Sequence, residues 1–202
     1  MNIKAIITDY GGVLVKMVDE TPRHRLAEKV GVPLKEIYRL IFDTDSAIQA
    51  TLGEITCDQH WENVRAALKV PSPELPAFIR QFWSADGLNI VMINALCSLR
   101  SNYKVGLLSN AADDLRSVLV DRWKIDGLFD DMVISAEVHL AKPDRRIYQQ
   151  ACERLDVLPN EAVFIDDMRE NVEGARQAGL HAIQYQNDEQ VLTDIRNYIE
   201  ER

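Results

Sequence analysis

Much that would narrow the role of this chain at a glance is missing from it. No apolar run approaches the length of a membrane span, so no membrane partner is expected. The first apolar stretch, Ile3–Thr8, is far shorter than the core of a secretory leader and ends in Asp9, so no leader is expected either. Cys57, Cys97 and Cys152 lie far apart and form no C-x-x-C pair. That usage fits reduced thiols in a cytoplasmic protein. Basic residues are in deficit. A net charge of −9 argues against a nucleic-acid surface, which needs clustered Lys and Arg. The four histidines have no metal-ligand spacing, and H-E-x-x-H is absent. There is no internal repeat, low-complexity tract or flexible linker, and nothing that calls for an obligate protein partner.

What is present is an ordinary globular composition. The 202 residues are 47% hydrophobic and 27% charged, enough for one α/β domain with a modest insertion. Because the whole molecule is acidic, an anionic ligand would depend on local positive potential.

The informative pattern is a series of short apolar runs, most of them stopped by polar residues. Ile3–Thr8 (IKAIIT) ends at Asp9, and Lys104–Ser109 (KVGLLS) ends at Asn110. Met132–Ser135 is a weaker run, Ala162–Ile165 (AVFI) precedes Asp166, and His181–Tyr185 closes the series. Runs that are apolar throughout predict strands buried on both faces. Helix patterns lie between them at Asp113–Trp123, Pro143–Leu155 and Glu170–Ala178, the last with Gly179 as its C-cap. A final helix, Asp188–Glu201, starts at Asn187 with Gln190 three residues on. This alternation predicts βαβ units, a parallel sheet and an α/β fold. Residues 16–88 break the rhythm and hold no convincing strand. Helix starts stand at Thr21-Pro22, at Thr56 with Gln59, and at Ser72-Pro73. The expected organisation is a core of residues 1–15 and 89–202, with a helical insertion at 16–88 after the first strand.

Asp9, Ser109-Asn110, Lys142 and Asp166-Asp167 all fall at the ends of predicted strands. The carboxyl ends of parallel strands form the edge where ligands bind, so these remote residues should converge in one crevice. Each is weak alone: Asp before Gly-Gly serves turns, Ser-Asn caps helices, and Lys-Pro occurs on surfaces before an N1 proline. The acidic pair is stronger, because adjacent carboxylates beside a buried strand repel each other unless a cation lies between them. Arg23, His24, Arg25 and His60 are further possible substrate contacts in the insertion, set against solvated helix faces.

Taken in order, Asp9-Tyr10-Gly11-Gly12-Val13-Leu14, Leu107-Leu108-Ser109-Asn110, Ala141-Lys142-Pro143…Ile147-Tyr148 and Val163-Phe164-Ile165-Asp166-Asp167…Asn171…Gly174-Ala175 resemble the four motifs of the haloacid dehalogenase-like (HAD) hydrolase superfamily. The fourth looks most like the sugar-phosphatase and epoxide-hydrolase N-terminal-type branch. The resemblance implies a Rossmann-like three-layer core with a small helical cap, and a phosphatase acting on a small phosphorylated substrate such as a sugar phosphate. It implies Asp9 as nucleophile, forming an aspartyl-phosphate. Ser109 and the backbone near Asn110 would hold the phosphoryl group, and Lys142 would neutralise charge. Mg²⁺ would lie on Asp9, the Gly11 carbonyl and Asp167, with Asp166 more remote.

One departure matters. Most phosphatases of the family carry a second Asp two residues after the nucleophile as general acid/base; here that residue is Gly11. Metal-independent dehalogenation, in which halide leaves without a proton, and a silent protein that binds a phosphorylated ligand or partner stand as alternatives. The retained acidic pair favours the phosphatase.

Overall fold

The structure, a computed structural model, describes residues 2–200. The chain begins with β1 (Ala5–Thr8) and β2 (Val15–Met17), then enters helices α1 (Thr21–Val30), α2 (Leu34–Phe42), α3 (Asp45–Thr51), α4 (Cys57–Leu68) and α5 (Leu75–Trp83). It returns through β3 (Asp86–Leu88), α6 (Ile90–Leu99), β4 (Lys104–Ser109), α7 (Leu115–Ser117), β5 (Asp131–Ile134) and α8 (Ser135–Val138). It finishes with α9 (Arg145–Arg154), β6 (Ala162–Asp166), α10 (Arg169–Ala178), β7 (His181–Gln184) and α11 (Asp188–Glu200).

One parallel sheet has the order β5-β4-β1-β6-β7. The chain starts in the middle, builds outward through β4 and β5, then returns to build the other side. The order therefore reverses at β1, where an open α/β sheet leaves a crevice at its carboxyl edge. Side chains alternate between two apolar layers. Ile6, Leu107, Ile165 and Ile183 pack with Met92, Leu96 and Ile195 on one face. Ile7, Leu108, Phe164 and Ala182 pack with Ile147, Ala151 and Val172 on the other. Because both faces are covered, the strands read as apolar runs without alternation. This is the expected three-layer Rossmann-like architecture. Thr8 sits level with Leu107 and with Ile165, so Asp9, Ser109 and Asp166 emerge at one edge.

Helices α1, α2, α4 and α5 hold a third apolar cluster of their own, with Leu26, Ile37, Trp61, Val64, Phe78 and Phe82 at its centre. Their starts follow local chemistry. Thr56 and Gln59 form a reciprocal capping box at α4, and Pro22 stands in the first turn of α1. Ser72-Pro73 opens a 3₁₀ turn (Ser72–Glu74) that leads into α5.

Two expectations are corrected. Residues 16–88 do contain strand: β2 pairs antiparallel with β3, Val15 opposite Leu88 and Met17 opposite Asp86. Each is three residues long, β2 grading from buried to exposed and β3 half-buried throughout, so neither carries a local pattern. Asp113–Trp123 is not one regular helix either; α7 widens into a π-helical turn at Val118–Trp123. That turn ends with Trp123 donating to the Tyr10 hydroxyl at 2.7 Å and Arg122 donating to the Trp83 carbonyl at 2.7 Å. Among the described residues no helix is long and apolar enough to cross a membrane.

Candidate active site

The carboxyl edge of the three central strands brings Asp9, Lys142, Asp166 and Asp167 together. Lys142 is nearly buried, and its ammonium reaches Asp9 Oδ1 at 2.8 Å, Asp166 Oδ2 at 2.6 Å and the Leu108 carbonyl at 3.1 Å. An ammonium has three protons, so all are used. The Lys142 backbone is fixed by Asn110, whose carboxamide accepts from the Lys142 N–H at 2.8 Å and donates to the Lys142 carbonyl at 2.9 Å. The next residue, Pro143, packs so closely on α10 that a Cβ at Gly174 would lie 2.8 Å from the proline ring. Small residues at Gly174-Ala175 thus let helix α10 approach the lysine loop.

The two adjacent acids differ. Asp166 is fully buried, and its carboxylate accepts from the Met168 N–H at 2.8 Å, from Asn171 Nδ2 at 3.1 Å and from Lys142. Asp167 lies against Gly12, whose positive φ of 76° suits glycine and where a Cβ would overlap the Asp167 carboxylate. Gly12 is therefore what lets Asp167 approach the loop that follows Asp9. The Asp167 main-chain carbonyl accepts from Gln184 Nε2 at 3.2 Å.

Carboxylate oxygens of Asp9, Asp166 and Asp167 all lie within 4.8 Å of one another. Three carboxylates thus face one ammonium. Burial pushes the Asp9 carboxyl up to about 6; Lys142 pulls it down, and the Asp166 charge raises it further. Burial, then Asp166, also raise Asp167. Burial works to lower Lys142, but the charges of Asp9 and Asp166 outweigh it and raise the lysine. With Asp166 saturated by protein donors, Asp9 and Asp167 are the pair left to meet a cation. Magnesium is commonly held by one or two carboxylates while it keeps waters and takes up phosphate oxygens, so this donor set fits it.

Ser109 is buried at the end of β4 beside this group. Gly11 adjoins open space: a Cβ there meets no atom within 4 Å. The contacts foreseen in the insertion fare differently. Arg23 is buried, its Nη2 donating to both Asp86 oxygens at 2.7 and 2.8 Å and its Nε to the Phe82 carbonyl at 3.1 Å. His60 is buried between the Ile41 carbonyl and the Ser46 hydroxyl, each at 3.0 Å, and burial lowers its pKa. These two are structural, not ligand-facing. His24 and Arg25 are exposed on α1, His24 beside Glu20. The supporting parts played by Gly12, Asn171 and the Asn110 carboxamide were not assigned from the sequence. Asn171 stood five residues after Asp166, the spacing that folds one helical turn back onto a strand end.

The fold and site together are a Rossmann-like sheet with a buried, lysine-paired aspartate at its switch point. The profile of haloacid dehalogenase-like hydrolases matches residues 3–179, and the chain belongs to that family and is a hydrolase. Sesquiterpene phosphatase astK of Aspergillus oryzae is 28% identical over 88% of this chain and 87% of its own. (S)-2-haloacid dehalogenase 4A of Burkholderia cepacia is 34% identical over 41% of this chain, and the match spans only 36% of that enzyme. A bifunctional epoxide hydrolase of Sus scrofa, 26% identical, aligns with 96% of this chain, which is 38% of that protein. A HAD family enzyme of Bacteroides thetaiotaomicron, crystallised with magnesium and inorganic phosphate, superposes with a TM-score of 0.77 at 23% identity. The superposition covers 91% of this chain and 94% of that one.

Proposed function

We propose that this hydrolase is a magnesium-dependent phosphatase for a small phosphorylated metabolite, of which a sugar phosphate is representative, and that Asp9 carries the phosphoryl group. The observation that supports this most is the charge imbalance at the sheet edge, where Asp9 and Asp167 have negative charge in excess of Lys142. Asp9, Asp167 and the Gly11 carbonyl would hold the metal. When bound, magnesium supplies the positive charge that lets a carboxylate and a phosphate approach each other.

The chain's own groups perform the rest. An Asp9 oxygen forms a bond to phosphorus as the ester P–O bond breaks, and water then cleaves the resulting aspartyl-phosphate to inorganic phosphate. Ser109 donates a hydrogen bond to a phosphoryl oxygen. Lys142, held by Asp166 and Asn110, keeps its ammonium on Asp9 throughout and so favours the ionised nucleophile. Gly11 offers no proton, so the leaving oxygen departs with more negative charge than it would beside a carboxylic acid.

Phosphorylated metabolites and p-nitrophenyl phosphate, assayed with EDTA and with added Mg²⁺, test the reading. Phosphate release that vanishes in EDTA and returns with Mg²⁺ supports it. The missing acid and the dehalogenase relative favour one second reading, carbon–halogen cleavage. Metal-independent chloride release from a 2-haloacid would establish that reading instead.

A further inference from the structure

Ser135 follows β5 and opens α8, one residue beyond Ile134, which pairs with Ser109 of β4. It is fully buried, yet it belongs to none of the four motifs. Its hydroxyl accepts from the Ala111 N–H at 2.9 Å, so it braces the residue next to Asn110 and through it the Lys142 loop. The same hydroxyl has two carbonyls within reach. One is Ala111 O at 3.1 Å in the core, and the other is Thr51 O at 2.7 Å, the last residue of α3 in the helical segment. A hydroxyl has one proton and donates to one of these at a time. Ala111 O also has a second donor, the Ala136 N–H at 3.3 Å, which leaves the proton free for Thr51.

Around this contact the two surfaces are cut to meet. Gly53 has φ 69°, and a Cβ there would overlap the Ala136 carbonyl. His139 Nδ1 donates to the Leu52 carbonyl at 2.8 Å. A few residues on, the Cys57 N–H donates to Asp113 Oδ1 at 2.9 Å, with the Cys57 sulfur within 4.8 Å of an Asp114 carboxylate oxygen.

We propose that Ser135 is a positioning residue that latches the helical segment as a closing cap, its proton directed to Thr51 O when the cap is docked and to Ala111 O when it is raised. Either way the buried hydroxyl is satisfied and the Ala111 N–H keeps its acceptor. The cap therefore leaves and returns without an orphaned polar group in the core and without loosening the Lys142 loop. The consequence for turnover rests on the phosphatase reading; the latch does not.

The three cysteines supply a test that needs no substrate. Cys57 lies at the seam, Cys97 is exposed on α6 and Cys152 is buried in the core. Iodoacetamide labelling of the full chain, resolved by mass spectrometry, reports cap opening at Cys57, with Cys97 and Cys152 as exposed and buried controls. Ser135→Ala should raise the Cys57 rate about 3- to 10-fold, the population shift expected for one net hydrogen bond. Gly53→Ala, which wedges the seam without touching Ser135, should raise it by more than about 10-fold. Cys97 should be unchanged and Cys152 unlabelled in both. If p-nitrophenyl phosphate is turned over, Gly53→Ala should raise KM with kcat largely kept, whereas Ser135→Ala should lower kcat as well, because Ala111 loses its brace. Unchanged Cys57 labelling in either variant with Cys152 silent would overturn the latch. A KM-only effect of Ser135→Ala would overturn the brace. Absence of turnover would bear on the phosphatase reading alone.

Discussion

Two buried cations, one in each part of the molecule, show how a site differs from a scaffold. Arg23 in the helical segment is 6% exposed and Lys142 at the sheet edge is 5% exposed. Arg23 meets a single carboxylate, Nη2 contacting both its oxygens, with a main-chain carbonyl on Nε, the Tyr38 hydroxyl on Nη1 and the Phe82 ring 4.3 Å from its guanidinium carbon. Charge is balanced there and the carboxylate is fully engaged. Lys142 meets Asp9 and Asp166 at once, with Asp167 close by, so negative charge is left over. Burial alone does not mark function. Incomplete neutralisation does, because a protein has no structural reason to hold surplus buried charge unless a further ligand completes it.

The sharpest way to break that contrast is at Asp9, the proposed nucleophile. Asp9→Asn should reduce phosphate release below detection, a loss of at least ~10³-fold, and labelled substrate should no longer leave phosphate on the protein. Stability should move the other way. Asp9 titrates near 6 when folded against 3.8 for a freely solvated aspartate, so its ionised form costs stability above pH 6 and the cost fades as pH falls toward 4. In EDTA at pH 7.5, the Asn variant should therefore melt at the wild-type temperature or above it. A marked fall in Tm would mean that Asp9 stabilises the metal-free fold and that the surplus charge is not real.

Next come the two cations themselves. Lys142→Met and Arg23→Met should each cost about 3–5 kcal/mol, since each strands a buried carboxylate. Only Lys142→Met should also remove ~10³-fold or more of kcat in protein kept folded at low temperature, where Arg23→Met should change kcat by no more than a few fold. Comparable kcat losses in both would erase the distinction.

A smaller but graded effect follows from Gly11. General acid catalysis contributes ~10²–10⁴-fold, so alkyl phosphates should lag p-nitrophenyl phosphate and anomeric sugar phosphates by a comparable factor in kcat/KM. The open space beside Gly11 leaves room for a side chain, and Gly11→Asp should narrow the gap. A flat dependence on leaving-group pKa would show that another residue supplies the proton.

The mildest effect is on metal affinity. With Asp9 as a ligand of the proposed metal, protons and Mg²⁺ compete for its carboxylate, which binds metal only when ionised. Apparent Mg²⁺ affinity, measured by titration of activity, should be level above about pH 7 and weaken toward tenfold per pH unit below 6. An unchanged affinity at pH 5 would remove Asp9 from the metal's ligands.

Much of this was legible in the chain because it depends on neighbours in sequence. A strand buried on both faces must be apolar at every position, so KVGLLS and AVFI announced β4 and β6 almost to the residue. The Thr56–Gln59 box and Gly179, with φ 99° at the end of α10, follow from the donors and carbonyls that any helix end leaves open. The post-strand positions of Asp9, Ser109 and Asp166 then follow from parallel topology. What tertiary structure alone decided depends on residues far apart. Val15–Met17 becomes strand only because Asp86–Leu88 arrives beside it, and neither segment has the length or periodicity to signal itself. Arg23 looked free for a ligand until Asp86 met it across 63 positions. Asp166 and Asp167 are adjacent and chemically identical, yet one is consumed by Lys142, Met168 and Asn171 while the other is left beside Gly12. Local sequence sets which backbone each segment prefers, because those energies act within a few residues. Which polar groups end up satisfied, and which are left to bind, is settled only when distant segments close around them.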